Sequence, residues 1–199
     1  MKDPLFEAIY NDQILEELKK RFGPFARHHA DLTADSETML GVMTKMETKP
    51  RRGEVVMVVP NEQGQIWLHT KDFYPGGVYR LMTGGLETGE MPHFALLREV
   101  EEETGFKVKI DRCLAVITHT FSNEEQILPF ASYVFLTTPG AGYPQLNDQG
   151  EAISGFRAVP VEDLREVAHQ LRSLQGKFSD WGVFRAIAHE VTLEQLQSA

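Results

Sequence analysis

The chain has a single cysteine, Cys113, in 199 residues. No disulfide can close within it and no CxxC pair can bind a metal, so a disulfide-braced scaffold is excluded. Cys113 is expected to be a small buried residue in or beside a strand. Long apolar runs are also missing, and none approaches the roughly 20 residues a membrane-spanning helix needs. The opening MKDPLFEAIYNDQ has no basic head followed by an apolar core. No secretory signal is expected, and a cytoplasmic location is the default. Basic residues are scarce: 20 Lys and Arg stand against 29 Asp and Glu, a net charge of −9. Such a surface repels a polyphosphate backbone, which argues against nucleic acid and membrane partners. A small anionic substrate would then need a cation to mediate its contact. HExxH, GxSxG, the P-loop pattern and GxGxxG are all absent.

What is present reads as an ordinary globular chain, 42% hydrophobic and 25% charged, long enough for one sizeable domain with an appendage. Residues 3 to 22 carry a helical pattern, capped by Asp3 and Pro4 and ended by Gly23-Pro24, with a break at Asn11-Asp12 allowed. A polar stretch with Arg27-His28-His29 follows, then a second helix from Ser36 to Met46 with Met39, Met43 and Met46 on one stripe. Adjacent histidines cannot easily share a helical face, so His28-His29 is not read as a metal site. Beyond residue 48 the pattern becomes extended. Strands are expected at 54–59, 65–70, 108–110, 113–121, 130–137 and 156–159, and helices at 161–171 and 180–196, the last interrupted near Thr192. The expected fold is α/β, a mixed sheet covered on both faces in an α/β/α sandwich. Residues 1–48 would be an N-terminal helical extension and 49–199 the main domain. The methionine stripe needs a covering surface, either within the chain or in a homodimer.

The chemistry is concentrated between Gly84 and Phe106, GGLETGEMPHFALLREVEEETGF. A glycine-rich loop leads into an acidic helix that stops at Gly105. At about 100° per residue, Glu102 and Glu103 flank Glu99 at i+3 and i+4, so three carboxylates leave one face while Leu96, Leu97 and Val100 leave another. Like charges at that spacing repel, and a divalent cation would reverse the penalty; carboxylate oxygens suit Mg²⁺ or Mn²⁺. Taken alone, such a run is more often a solvated acidic face.

The spacing resolves that ambiguity. Gly84, five residues, Glu90, seven residues, Arg98-Glu99-Val100, one residue, Glu102-Glu103, one residue, Gly105-Phe106 matches all nine fixed positions of the Nudix hydrolase box. The resemblance is sharpest over 84–106 and does not extend to residues 1–48. It implies a Nudix-like sandwich that hydrolyses a pyrophosphate bond, with Mg²⁺ or Mn²⁺, in a nucleoside diphosphate linked to another moiety such as a sugar or ADP-ribose. Carried over by position, Glu99, Glu102 and Glu103 would be metal ligands, joined by the Thr83 carbonyl. Arg98 would orient them and tie the helix to the loop through Glu90. Glu102 or Glu103 would take the proton from water, or a later loop glutamate would: Glu151, Glu124 or Glu125. Gly84, Gly85, Glu90, Arg80 and Phe121 are the expected substrate contacts, with Phe73, Tyr74 and Tyr79 as further aromatics able to stack a base.

The chain departs from the family in two places. Met82 stands where many relatives have proline before the box glycine. Downstream, Ile117 to Asn123 (ITHTFSN) has neither the proline associated with ADP-ribose nor the tyrosine associated with dinucleoside polyphosphates. Markers for NADH and coenzyme A substrates are missing too. The competing function is a non-catalytic Nudix-fold nucleotide sensor, which would commonly have lost box glutamates; this chain keeps them. An isoprenoid diphosphate isomerase would want a cysteine in the site, whereas Cys113 lies beyond the box. His119 is read either as a phosphate contact or as a strand histidine bonded to backbone, and His189-Glu190 as surface.

Overall fold

The computed structural model describes residues 3–48, 51–145 and 152–198. Asp3 accepts the N–H groups of Leu5 and Phe6, and with Pro4 in the first turn it starts helix α1 (Pro4–Ile9). The helix expected over 3–22 is divided. The Asn11 side chain accepts the Ile14 N–H at 3.0 Å and so begins a second helix, α2 (Asp12–Phe22). Gly23, at φ +78°, ends it.

The polar stretch that follows forms a strand. β1 (Ala26–Thr33) pairs in parallel with β5 (Ile110–Ser122), so the N-terminal segment supplies a strand as well as helices. Helix α3 (Glu37–Thr48) comes next. β2 (Gly53–Val58), β3 (Ile66–Lys71), β4 (Arg80–Gly85), β6 (Ile127–Thr137) and β7 (Ile153–Val159) complete a seven-stranded sheet in the order β1-β5-β6-β2-β4-β3-β7. β1–β5 and β2–β6 are parallel and the remaining pairs antiparallel, so the sheet is mixed as expected. Of the segment expected at 108–110 only Ile110 is strand, and it is continuous with 113–121 in β5, whose register against β6 shifts at Ile110/Arg112 and Cys113/Ala115. Between β4 and β5 lies α4 (Pro92–Thr104), and α5 (Leu164–Arg172) and α6 (Ser179–Gln197) close the chain. α6 runs unbroken through Thr192, which faces inward and is fully buried.

Two apolar layers hold the sheet. On one face Leu18 of α2 and Leu96 and Val100 of α4 meet Val55, Met57, Tyr133 and Phe135. On the other, Met39 and Met43 of α3, Leu164 of α5 and Phe184 of α6 meet Val56, Val58 and Val134. β2 is buried along its whole length because its successive side chains feed both layers. The methionine stripe of α3 is therefore covered within the chain. Cys113 is buried in β5, and desolvation pushes its thiol up to about 12.

Because α2 is part of this core, Leu18→Ala should destabilise the protein by about 2–5 kcal/mol. A urea midpoint within error of the wild type would show that α2 does not contribute to the folded core.

Candidate active site

β4 delivers Gly84 and Gly85 to the start of a loop, and Pro92 in the first turn of α4 sets that helix running back across the sheet. Gly105, in the left-handed region at φ +70°, closes it by donating its N–H to the Glu101 carbonyl at 2.9 Å. Val100 and Leu96 seat the helix on the core, which fixes the direction of the opposite side chains. Glu99 lies directly over the end of β4. A Cβ added at Gly84 would stand 2.0 Å from Glu99 Cδ, so only glycine lets the carboxylate approach the strand. Gly85 is similarly covered by the Arg51 guanidinium, whose Nη1 would lie 2.1 Å from an added Cβ.

Arg98 organises the polar face. Its Nε and Nη2 hold both oxygens of Glu90 at 3.0 and 2.8 Å, and Nη2 also donates to the Gly85 carbonyl at 3.1 Å. Its Nη1 donates to Glu99 Oε1 at 2.8 Å and Glu102 Oε2 at 3.1 Å. One cation thus neutralises the repulsion between two box carboxylates and fastens helix to loop. These bonds raise the Arg98 pKa, and the Arg98 hydrogen bonds hold the Glu90 carboxyl below its usual range. Glu90 also accepts the Glu87 N–H at 3.1 Å. With both oxygens engaged, Glu90 is a brace for the loop rather than a substrate contact.

Glu103 points into the protein, 1% exposed, with Oε2 3.3 Å from Nδ1 of the fully buried His69 on β3. Burial, reinforced by Arg80, holds His69 well below its usual pKa, so it is a neutral imidazole beside the carboxylate. His69 went unnoticed in the sequence because QIWLHT reads only as an apolar strand; its opposition to Arg80 across β3 and β4 is visible only in the register. Glu102 is the outermost of the three, its side chain 45% exposed. The three carboxylates provide hard oxygen donors of the kind a divalent cation takes, and the Gly84 cradle brings one of them to the strand end. As the side chains stand, Arg98 Nη1 sits between Glu99 and Glu102, and no three metal-ligating side chains converge among the described residues.

Other expected contacts lie elsewhere. Phe121 is fully buried among His119, Phe130 and Phe184 and cannot stack a base. An alternating strand pattern does not show which face an aromatic occupies. Arg80 is buried and donates to Tyr74 Oη at 2.8 Å, the Leu81 carbonyl at 2.7 Å and Thr83 Oγ1 at 3.1 Å. It therefore reaches the strand leading into the box but is not open to a ligand. Glu151 lies outside the described residues. His119 bonds to the Ser132 side chain at 3.2 Å rather than to backbone, and burial lowers its pKa to about 4.

His189 is not at the surface. It is buried on α6, its Nε2 accepts the Leu81 N–H at 2.9 Å and its Nδ1 donates to the Arg185 carbonyl at 2.9 Å. Desolvation lowers its pKa to about 3, so it stays neutral. Arg185, one turn earlier, pairs with buried Glu54 of β2 at 2.8 Å. Helix α6 therefore grips the sheet through two buried polar contacts beside the box strand.

Gly84→Ala should leave the fold intact, because the obstructed atoms all belong to the Glu99 side chain and none to backbone, yet it should expel Glu99 from the strand end. Mn²⁺ affinity by calorimetry should fall at least about tenfold. Unchanged affinity would mean that this close approach does not shape the cation site.

Comparison with known proteins identifies the family. The NUDIX domain family model matches residues 50–182. An RNA pyrophosphohydrolase of Gluconobacter oxydans is 36% identical over 63 residues, covering 32% of this chain and 37% of the relative, so the chain matches under two-fifths of that protein's length. Among solved structures, a C. elegans Ap4A hydrolase is 15% identical over 74% of this chain and 98% of that one, with a TM-score of 0.48. An ADP-ribose pyrophosphatase from Streptococcus suis is 16% identical over 73% and 91%, with a TM-score of 0.46. The family match spans most of the chain and contains every residue of the carboxylate site, and on that ground the chain belongs to the Nudix family.

Proposed function

We propose that this chain is a Mg²⁺- or Mn²⁺-dependent pyrophosphohydrolase acting on a nucleoside diphosphate linked to a second moiety, a nucleotide sugar, ADP-ribose or a similar compound. The observation that carries this reading is the complete set of box carboxylates on one helix, with Glu99 seated on Gly84 and Arg98 tying Glu99 and Glu102 to the loop. A non-catalytic sensor would have no need to keep that set and its brace together.

Glu99, Glu102 and Glu103 would hold the cation. Its chemistry, when bound, is to neutralise the diphosphate and make water a competent nucleophile at neutral pH. The chain's own residues prepare the place. Glu99 and Glu103 are buried, the first held by Arg98 and the second enclosed beside His69, so burial limits their motion before substrate arrives. Glu102, the most exposed of the three although bonded to Arg98, would be the one to accept a proton from water. Arg98 keeps the helix and loop in register while charge shifts among the carboxylates.

A second reading comes from the names of the curated relatives, RNA pyrophosphohydrolases, whose similarity covers about a third of this chain. It would make RNA the substrate. The net charge of −9 weighs against a long polyanion, which favours the small nucleotide.

Glu103→Gln should lower turnover at least about 100-fold while leaving the melting temperature within a few degrees, since shape and burial are kept. Near wild-type rates in that variant would remove the box from the chemistry. A chromatographic screen for the products of pyrophosphate-bond cleavage, with and without Mg²⁺, over nucleoside diphosphate sugars, ADP-ribose, dinucleoside polyphosphates, nucleoside triphosphates and a triphosphorylated RNA oligonucleotide, identifies the substrate. The small diphosphate derivatives should give the highest kcat/KM. Preference for the oligonucleotide would replace the small-molecule assignment.

A further inference from the structure

The two ends of the sheet differ. At one end β7 is covered in part by the loop before it, where Tyr143 Oη donates to the Phe156 carbonyl at 3.1 Å. At the other end β1 is the terminal strand, and among the described residues no strand lies on its outer side. The direction of its backbone follows from two hydrogen bonds. Ala34 donates its N–H to the Ser122 carbonyl at 2.9 Å, and the His28 carbonyl accepts from Thr118 Oγ1 at 3.3 Å. Even-numbered residues of β1 therefore direct their backbone groups to β5. Arg27, His29, Asp31 and Thr33 direct theirs outward.

The same four residues are the exposed ones, and their side chains stand on the face carrying α1 and α2: Arg27 Nη2 bonds Tyr10 Oη and His29 Nδ1 bonds Thr118 Oγ1. Their order is self-complementary. If a second β1 lies antiparallel about a two-fold axis through His29, Arg27 falls opposite the partner's Asp31 and Asp31 opposite the partner's Arg27. Arg27, His29 and Asp31 have their N–H and C=O already aimed across the gap, so about six backbone hydrogen bonds can form without altering the strand. On the other face, an open groove of about 400 Å³ runs between β1 and α6, walled by Val183, Ile187 and Val191. Glu190 and Glu194 line it as well. Arg172 lines it too and pairs with Glu190, so the partner's His28, entering that space, would meet Glu194 as the carboxylate not engaged by Arg172.

We propose that β1 is a homodimerisation edge, on which a second copy of this chain adds its own β1 antiparallel, joining two seven-stranded sheets into one. Opposite charge across the axis distinguishes this edge from one merely blunted by charge, where like residues would face each other. The interface lies outside the carboxylate site and does not depend on the hydrolase reading.

Light scattering over a dilution series of the full chain tests it. The wild type should be dimeric at about 100 µM. Arg27→Asp and Asp31→Arg should each weaken the dimer at least about tenfold, and the double exchange R27D/D31R should restore it. Circular dichroism checks folding, which substitutions at these exposed positions should leave unchanged. Amide exchange at Arg27, His29 and Asp31 should slow as concentration rises, while His28 and Ala30, already bonded to β5, should not change. A monomeric wild type at that concentration, or a dimer indifferent to both single substitutions, would overturn the proposal. A dimer weakened by D31R alone and not restored by the double exchange would refute the pairing.

Discussion

A helix that places three glutamates on one face and keeps two of them buried is unstable as a bare arrangement of charge, and the Arg98 guanidinium makes it tolerable. It spans from the loop, at Glu90 and the Gly85 carbonyl, to the helix, at Glu99 and Glu102. Each contact is charge-assisted or made to a backbone oxygen, and together they satisfy all three guanidinium nitrogens. The Gly84–Glu99 approach follows from this, because the strand end and the helix must be held at a fixed separation for a carboxylate to rest where a side chain would otherwise be. Removing Arg98 would release the loop and leave Glu99 against the strand with its nearest positive partner gone.

The opposite face of the sheet stabilises the same strand by different means. Glu54 is fully buried, a position that ordinarily favours the neutral acid. The Arg185 charge and hydrogen bonds, with help from Arg80 and Ser132, outweigh that desolvation and hold its pKa below the usual value. His119 extends the network: Ser132 Oγ donates to Glu54, so it accepts from His119 Nε2, and this fixes the tautomer with a bare Nδ1. Because α6 carries Arg185 and His189 one turn apart, a single helix face contributes an ion pair to β2 and an acceptor to the Leu81 amide of β4. The box strand is clamped from below by neutral and paired groups whose charge states do not change near neutral pH, while the box carboxylates stand above it.

The sequence made the site legible and its surroundings much less so, for physical reasons. The box is a local object: loop length, helical rotation and a closing glycine lie within 23 consecutive residues, so spacing alone predicts that Glu99, Glu102 and Glu103 share a face, and the family resemblance adds that Arg98 meets Glu90. The contacts of His69, His189 and Arg185 are non-local, set by strand register and by which face of α6 turns inward. His189 reads as surface beside Glu190, yet the two leave the helix about 100° apart, one into the core and the other toward Arg172. Phe121 fails as a substrate contact for the same reason, since a strand aromatic looks identical whether its face meets solvent or the core. β1 is missed because ARHHADLT lacks the branched and aromatic residues that usually mark strands. It is held by pairing with β5 and by alternate residues facing α6.

That composition of β1 has a consequence for assembly. A strand buried on both faces would need apolar residues throughout, as β2 has, and would aggregate if left at an edge. β1 instead keeps only its even positions against the helical layer and places arginine, histidine and aspartate on the other face, beside backbone groups directed outward. Such an edge resists indiscriminate pairing, because most incoming strands would leave Arg27 or Asp31 without a complement. A second copy in the antiparallel register supplies both complements at once. Charge that protects the edge from other chains is then also what selects its own.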